Sequence, residues 1–237
     1  MTGTVRTPAA APDLVVHPAR GDTTAVALVL PGGTADSFDP AHVRQLAAIR
    51  VAPIARALAR RGSGHGLAVW VLRYRYRGWN GTEASPVQDT SWALGEVRRR
   101  HGDVPVVLVG HSMGGRTALR VGGEGSVRGV VALAPWLPEG EPTAQLTGRP
   151  VLIAHGNLDK VTSARASQRY AERLAASGGQ VGRALVCGDV HAMLLRWPLW
   201  HRLSTSFVLS TVELAPPSRL VARVMAAGRT GRFAVAV

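Results

Sequence analysis

Short apolar runs alternate with amphipathic stretches along this chain. The runs at 25–30, 67–73, 104–109, 127–133, 150–154 and 181–186 are near-continuous in Val, Leu, Ile and Ala. Strands covered on both faces read this way. A further short run at 13–16 precedes them. Between the runs, helical spacing predicts helices over 54–61, 90–100, 113–121 and 164–176. In the last of these, Ala164, Ser167, Tyr170, Ala171 and Leu174 share one side. Residues 197–209 and 218–227 read as two later helices, with Pro216-Pro217 breaking the chain between them. Strand and helix in alternation predict βαβ units, a mainly parallel central sheet and helices on both faces, all in a single domain.

Three segments stand outside this pattern. Residues 1–12 and 228–237 read as loose tails. Residues 38–50 are longer than a strand-to-helix link needs, and 41–50 is itself helix-like. Pro53 suits the first turn of a following helix, which leaves 38–50 either a small flap or the first half of one kinked helix.

Composition removes several function classes. One cysteine in 237 residues, Cys187, excludes an intramolecular disulfide and a cysteine-ligated zinc site. His17, His42, His65, His101 and His201 share no ligand spacing, so no metal is expected. No apolar run reaches membrane-spanning length, and the N-terminus has no signal-peptide core, so a cytoplasmic protein is expected. The net charge of +13 would suit a polyanion partner, but 27 of the 28 basic residues are arginine and they are scattered among separate segments. That distribution fits a solvated surface, and no nucleic-acid partner is expected.

The strongest local signal is Gly110-His111-Ser112-Met113-Gly114-Gly115, which follows an apolar run and precedes a helical stretch. In that setting a G-x-S-x-G match acquires mechanical meaning. The serine sits on a tight turn, and glycines on either side remove side chains that would strike neighbouring backbone. A serine hydroxyl needs a base, and the base needs an orienting group. His191 follows the last apolar run and Asp159 follows the one before it. Parallel strands bring such strand-end loops to one sheet edge. The order Ser112, Asp159, His191 is that of nucleophile-elbow enzymes.

On these residues the chain resembles the α/β-hydrolase superfamily over roughly 26–193. The resemblance rests on five anchors in order: Leu30-Pro31-Gly32-Gly33, the segment 75–81 (RYRGWNG), the elbow, the loop 155–161, and Gly188–His191. It implies Ser112 as nucleophile, His191 as general base and Asp159 as orienting acid. It also implies an oxyanion hole built from the backbone N–H groups of Gly33 and Met113. Pro31 stands where many members carry histidine. Only 135–149 separates two strands where larger members insert a cap, so a compact α/β-hydrolase fold without a large cap is expected. The implied activity is cleavage of a carboxylic ester or thioester of a small-molecule acyl substrate, with no cofactor. An acyltransferase or lyase on the same scaffold, or a non-catalytic binding module, are the alternatives, and oligomeric state is not readable.

Other residues carry weaker readings. Thr34, Phe38, Trp79 and Trp136 are candidates for the substrate pocket. His111 reads as packing, His155 as shaping the acid loop, and Asp189 as a turn residue rather than the orienting acid. Cys187 reads as a buried strand residue. Trp197, Trp200, Leu194 and Leu199 read as the buried face of a late helix.

Overall fold

The computed structural model describes residues 11–42 and 45–237. Most of the expected tail 1–12, and Val43 and Arg44 of the 38–50 segment, lie outside them. The described residues form β1 (Asp13–His17), β2 (Ala25–Leu30), α1 (Leu46–Gly62), β3 (Leu67–Arg73), α2 (Ser85–His101), β4 (Val106–His111), α3 (Met113–Val121), β5 (Val127–Leu133), β6 (Val151–Gly156), α4 (Ala164–Ala176), β7 (Val181–Val186), α5 (Trp197–Thr211), α6 (Arg219–Arg229) and β8 (Val235–Ala236). The strands make one sheet in the order β1-β3-β2-β4-β5-β6-β7-β8. Every neighbouring pair is parallel except β1 with β3.

Two apolar cores result. Successive residues of a strand point to opposite faces. Val26, Leu28 and Leu30 of β2 therefore join Leu94, Leu119 and Leu174 of α2, α3 and α4 on one face. Ala25, Ala27 and Val29 join Ile54, Trp200 and Val221 of α1, α5 and α6 on the other. Burial on both faces is why β2 reads as an unbroken apolar run. The link from β5 to β6 is short and carries only a single 3₁₀ turn, Ala144–Leu146, so the fold has no large cap. No helix among the described residues is long and apolar enough to cross a membrane.

Several boundaries differ from the sequence reading. The helix expected over 54–61 begins at Leu46 and runs through Pro53 to Gly62. The missing N–H of Pro53 removes one helical bond without ending the helix. Of the 38–50 segment, the part before α1 is no free flap in the described residues. Ala41 N–H donates to Arg75 O at 3.1 Å, Arg77 N–H to Asp39 O at 3.0 Å and Ser37 N–H to Asn80 Oδ1 at 2.8 Å, tying this loop to the one after β3. The C-terminal segment 228–237 is not a loose tail. It completes α6 and then adds β8 to the edge of β7, with Val237 N–H donating to Leu185 O at 3.0 Å. Phe233 is buried, and its carbonyl accepts from Arg183 Nη1 at 2.6 Å. Arg183 lies inside β7, its guanidinium also bonded to Ser167 Oγ and Ala164 O, and burial pushes its pKa down to about 10.

Candidate active site

The elbow forms where β4 runs out. His111 is the last residue of the strand, Ser112 takes the left-handed value φ 57°, ψ −119°, and α3 starts at Met113. A non-glycine residue held there stores strain, about 1–3 kcal/mol. The surroundings hold it. Ser112 N–H donates to Leu133 O at 3.0 Å, and Ser112 O accepts from Gly115, Trp136 and Arg116 N–H at 3.0, 3.1 and 3.2 Å. The flanking glycines are required by space. A Cβ on Gly110 would stand 2.0 Å from Gly114 O, and one on Gly114 would stand 2.2 Å from Leu30 O.

Asp159 lies in the loop after β6, its side chain fully buried. Its Oδ1 accepts the N–H groups of Val161 at 2.8 Å and Thr162 at 2.9 Å. Its Oδ2 receives His191 Nδ1 at 2.8 Å, Thr162 Oγ1 at 2.9 Å and His155 Nε2 at 3.2 Å. Burial alone would raise the carboxyl pKa. The hydrogen bonds from His155, His191, Thr162 and Val161 outweigh it and hold the pKa well below the usual carboxylate range. Asp159 is thus a carboxylate at neutral pH. A carboxylate only accepts, so His191 Nδ1 carries a proton and donates it to Asp159. The ring contacts of His191, to Asp159 and to Thr162 Oγ1 at 3.1 Å, are both at Nδ1, and among the described residues Nε2 makes no hydrogen bond.

His111 links the elbow to this pair. It is buried, and its ring lies 4.8 Å from that of His191. Its Nε2–H donates to the His191 carbonyl at 3.0 Å. Since His111 immediately precedes Ser112, this bond seats the His191 loop beside the elbow. Burial, followed by the neighbouring His191 and Arg50, pushes the His111 pKa down to about 3, so it stays neutral.

The oxyanion candidates are also neighbours. Met113 is the first residue of α3, where an N–H has no intrahelical partner. A Cβ on Gly33 would stand 2.4 Å from Met113 Cε, and one on Gly32 would stand 3.2 Å from Ser112 Cβ. The loop after β2 therefore lies against the elbow.

The chain belongs to the α/β hydrolase family. That family's sequence profile matches residues 26–236. No curated protein matches the chain, but solved structures share its fold. An α/β serine hydrolase homologue from Coxiella burnetii is 16% identical with a TM-score of 0.64, over 82% of this chain and 90% of that one. Est1E from Butyrivibrio proteoclasticus is 13% identical, TM-score 0.65, over 85% and 95%. The butyrate-bound esterase Est2 from Thermogutta terrifontis is 16% identical, TM-score 0.63, over 87% and 91%.

This α/β hydrolase places the remaining sequence candidates unevenly. Asp189 is buried but does not reach a histidine ring. It accepts from the N–H groups of Val190, Leu195 and Arg196 and from Trp200 Nε1 at 2.7 Å, which ties the chain after His191 to the start of α5. Trp79 is buried and pairs edge-on with Trp136, ring centroids 6.2 Å apart. The Arg116 guanidinium sits 3.6 Å from the Trp79 ring and 4.7 Å from Trp136, and Glu141 Oε2 accepts from its Nε at 2.8 Å. Trp79 is therefore buried packing against α3, whereas the backbone N–H of Trp136 donates to Ser112 O. Thr34 and Phe38 are exposed in the loop after β2, and Phe38 stacks edge-on with Tyr76 at 5.4 Å.

Trp197 and Leu194, expected to be buried, are 55% and 65% exposed; Trp200 takes the core position. Cys187 is half-buried just past β7. No cluster of three metal-ligating side chains occurs among the described residues. The hydroxyl of Thr162 touches Asp159, His155 and His191, a role the sequence does not signal. A threonine in a loop carries no pattern that marks it.

Proposed function

We propose that this α/β hydrolase is a serine hydrolase that cleaves a carboxylic ester or thioester of a small-molecule substrate through an acyl-serine intermediate. The observation carrying this reading is the 2.8 Å contact of Asp159 Oδ2 with His191 Nδ1, made beside a serine held at φ 57°. The esterases and the serine hydrolase homologue among the similar folds support it.

Ser112 Oγ attacks the substrate carbonyl carbon while its proton passes to His191 Nε2. Asp159 holds the imidazole in the needed tautomer and balances the imidazolium that forms. The carbonyl oxygen becomes an oxyanion facing the Met113 and Gly33 N–H groups, an arrangement worth about 3–4 kcal/mol per donor in the transition state. Collapse of the tetrahedral species breaks the bond to the alcohol or thiol, which leaves with the proton from His191. Water then attacks the acyl-serine, gives its proton to Nε2, and the acid departs as Ser112 regains its hydrogen. Each proton has a named carrier, and the three side chains with two amides supply every step.

The test is hydrolysis of p-nitrophenyl esters by wild type and Ser112→Ala. The expected loss in kcat is roughly 10⁶-fold, with the fold retained. A loss under about tenfold would remove Ser112 as nucleophile.

A further inference from the structure

An open groove of about 450 Å³ runs between α1 and α5. Ile49 and Pro53 of α1 form one wall, Leu194 and Trp197 the other. Ile49, Leu194 and Trp197 are all more than half exposed, so the groove offers apolar surface to water rather than to the core. Ala192 and Met193, the two residues that follow His191, also line it. So does Arg50, whose charge bears on the buried His111 next to Ser112. From Ile49 it extends along the helix to Arg60, about 16 Å at the α-helical rise.

The charge along this groove has one sign. Arg50, Arg56 and Arg60 line it and no carboxylate does. Among the described residues none of the three has an acidic partner, and residues 1–10, 43 and 44 contain no Asp or Glu. By contrast Arg73, Arg75, Arg98, Arg99 and Arg116 all pair with carboxylates. A chain with 28 basic and 15 acidic residues must leave many arginines unpaired. What distinguishes these is the apolar trough they border. His201, at the far end against Trp197, has its pKa lowered by burial first and then by Arg60 and Arg61, consistent with a positive field there.

We propose that the groove binds the acyl chain of the substrate, and that this chain carries a carboxylate or phosphate at its distal end, held by Arg56 and Arg60. The apolar walls suit the chain and the exposed guanidiniums suit the anion. The direction of the chain rests on the hydrolase reading, because that reading puts the reacting carbonyl at Ser112. The ligand class does not depend on it.

Two measurements separate these claims. The first is calorimetric titration of the wild type with octanoate and with 1-octanol at low ionic strength. Octanoate is expected to bind about tenfold tighter, as two partly exposed ion pairs allow. Arg56→Gln/Arg60→Gln should close that gap, and added salt should narrow it. Equal binding of the two probes, or a gap that survives in the double variant, overturns the proposal. The second is the ratio of kcat/KM for the p-nitrophenyl monoester of tetradecanedioate, long enough to reach from Ser112 toward Arg60, over p-nitrophenyl tetradecanoate. It is expected above one in wild type and to fall in the double variant; an unchanged ratio overturns the assigned chain direction. If octanoate shows the gap but neither ester is cleaved, the hydrolase reading fails while the groove's ligand class stands.

Discussion

His111→Gln tests how the elbow is held to the histidine loop. His111 is fully buried, and its Nε2–H donates to His191 O at 3.0 Å. Its Nδ1 has no partner, so a second proton would arrive in a dry, positively biased place. That is why its pKa is pushed from 6.5 to about 3. In the unfolded chain the ring titrates near its ordinary value. Between those two values the unfolded state binds a proton that the folded state does not. Folded-state stability is therefore intact above about pH 6.5 and falls as the pH drops toward 3, by about 1.4 kcal/mol per pH unit. From about pH 6.5 to 5 the loss from this one group is about 2 kcal/mol. Glutamine keeps an N–H that can reach the same carbonyl but does not titrate. Urea unfolding followed by tryptophan fluorescence, at several pH values in that window, gives the stability of each protein. The difference between wild type and His111→Gln should slope by about one proton. Parallel curves would show that His111 is not held neutral, and the reasoning from its burial would fail.

Two further substitutions probe the site and its support. Asp159→Asn removes the acceptor that sets the His191 tautomer, so kcat on p-nitrophenyl esters should fall roughly 10³- to 10⁴-fold; a loss under about tenfold would remove Asp159 from the relay. Glu141→Gln takes the counter-charge from Arg116, which is stacked on Trp79 and nearly buried. It should cost about 3 kcal/mol in urea unfolding, and a cost near zero would mean the two tryptophans alone hold that corner.

Much of this arrangement was legible in the residues because of how a doubly covered parallel sheet is made. Strands β2 and β5 must be apolar on both faces, so their runs stand out and their ends match the expected ones. The elbow is legible because Gly110 and Gly114 have backbone oxygens where a Cβ would be. That Ser112, Asp159 and His191 lie at one edge follows from their places after β4, β6 and β7, parallel strands of one sheet. What stayed hidden depends on three-dimensional partners. Asp159 and Asp189 both lie near His191 in their loops, and only geometry shows one bonded to the ring and the other to Trp200 Nε1. Thr162 and His155 join the carboxylate through contacts that leave no spacing signature. The strand β8 has two residues, too few for any period, and its place depends on the buried Phe233 and on Arg183. Trp79 looked like a pocket residue because nothing in its local sequence reveals the guanidinium stacked against it.

The proposed function stands or falls on whether Ser112 is an activated nucleophile served by His191. Incubating the folded protein with a fluorophosphonate and reading the intact mass and the labelled peptide tests this directly. One adduct is expected, on Ser112, absent from Ser112→Ala and formed far more slowly by His191→Gln. Labelling at another residue, or equal labelling of wild type and His191→Gln, would contradict it.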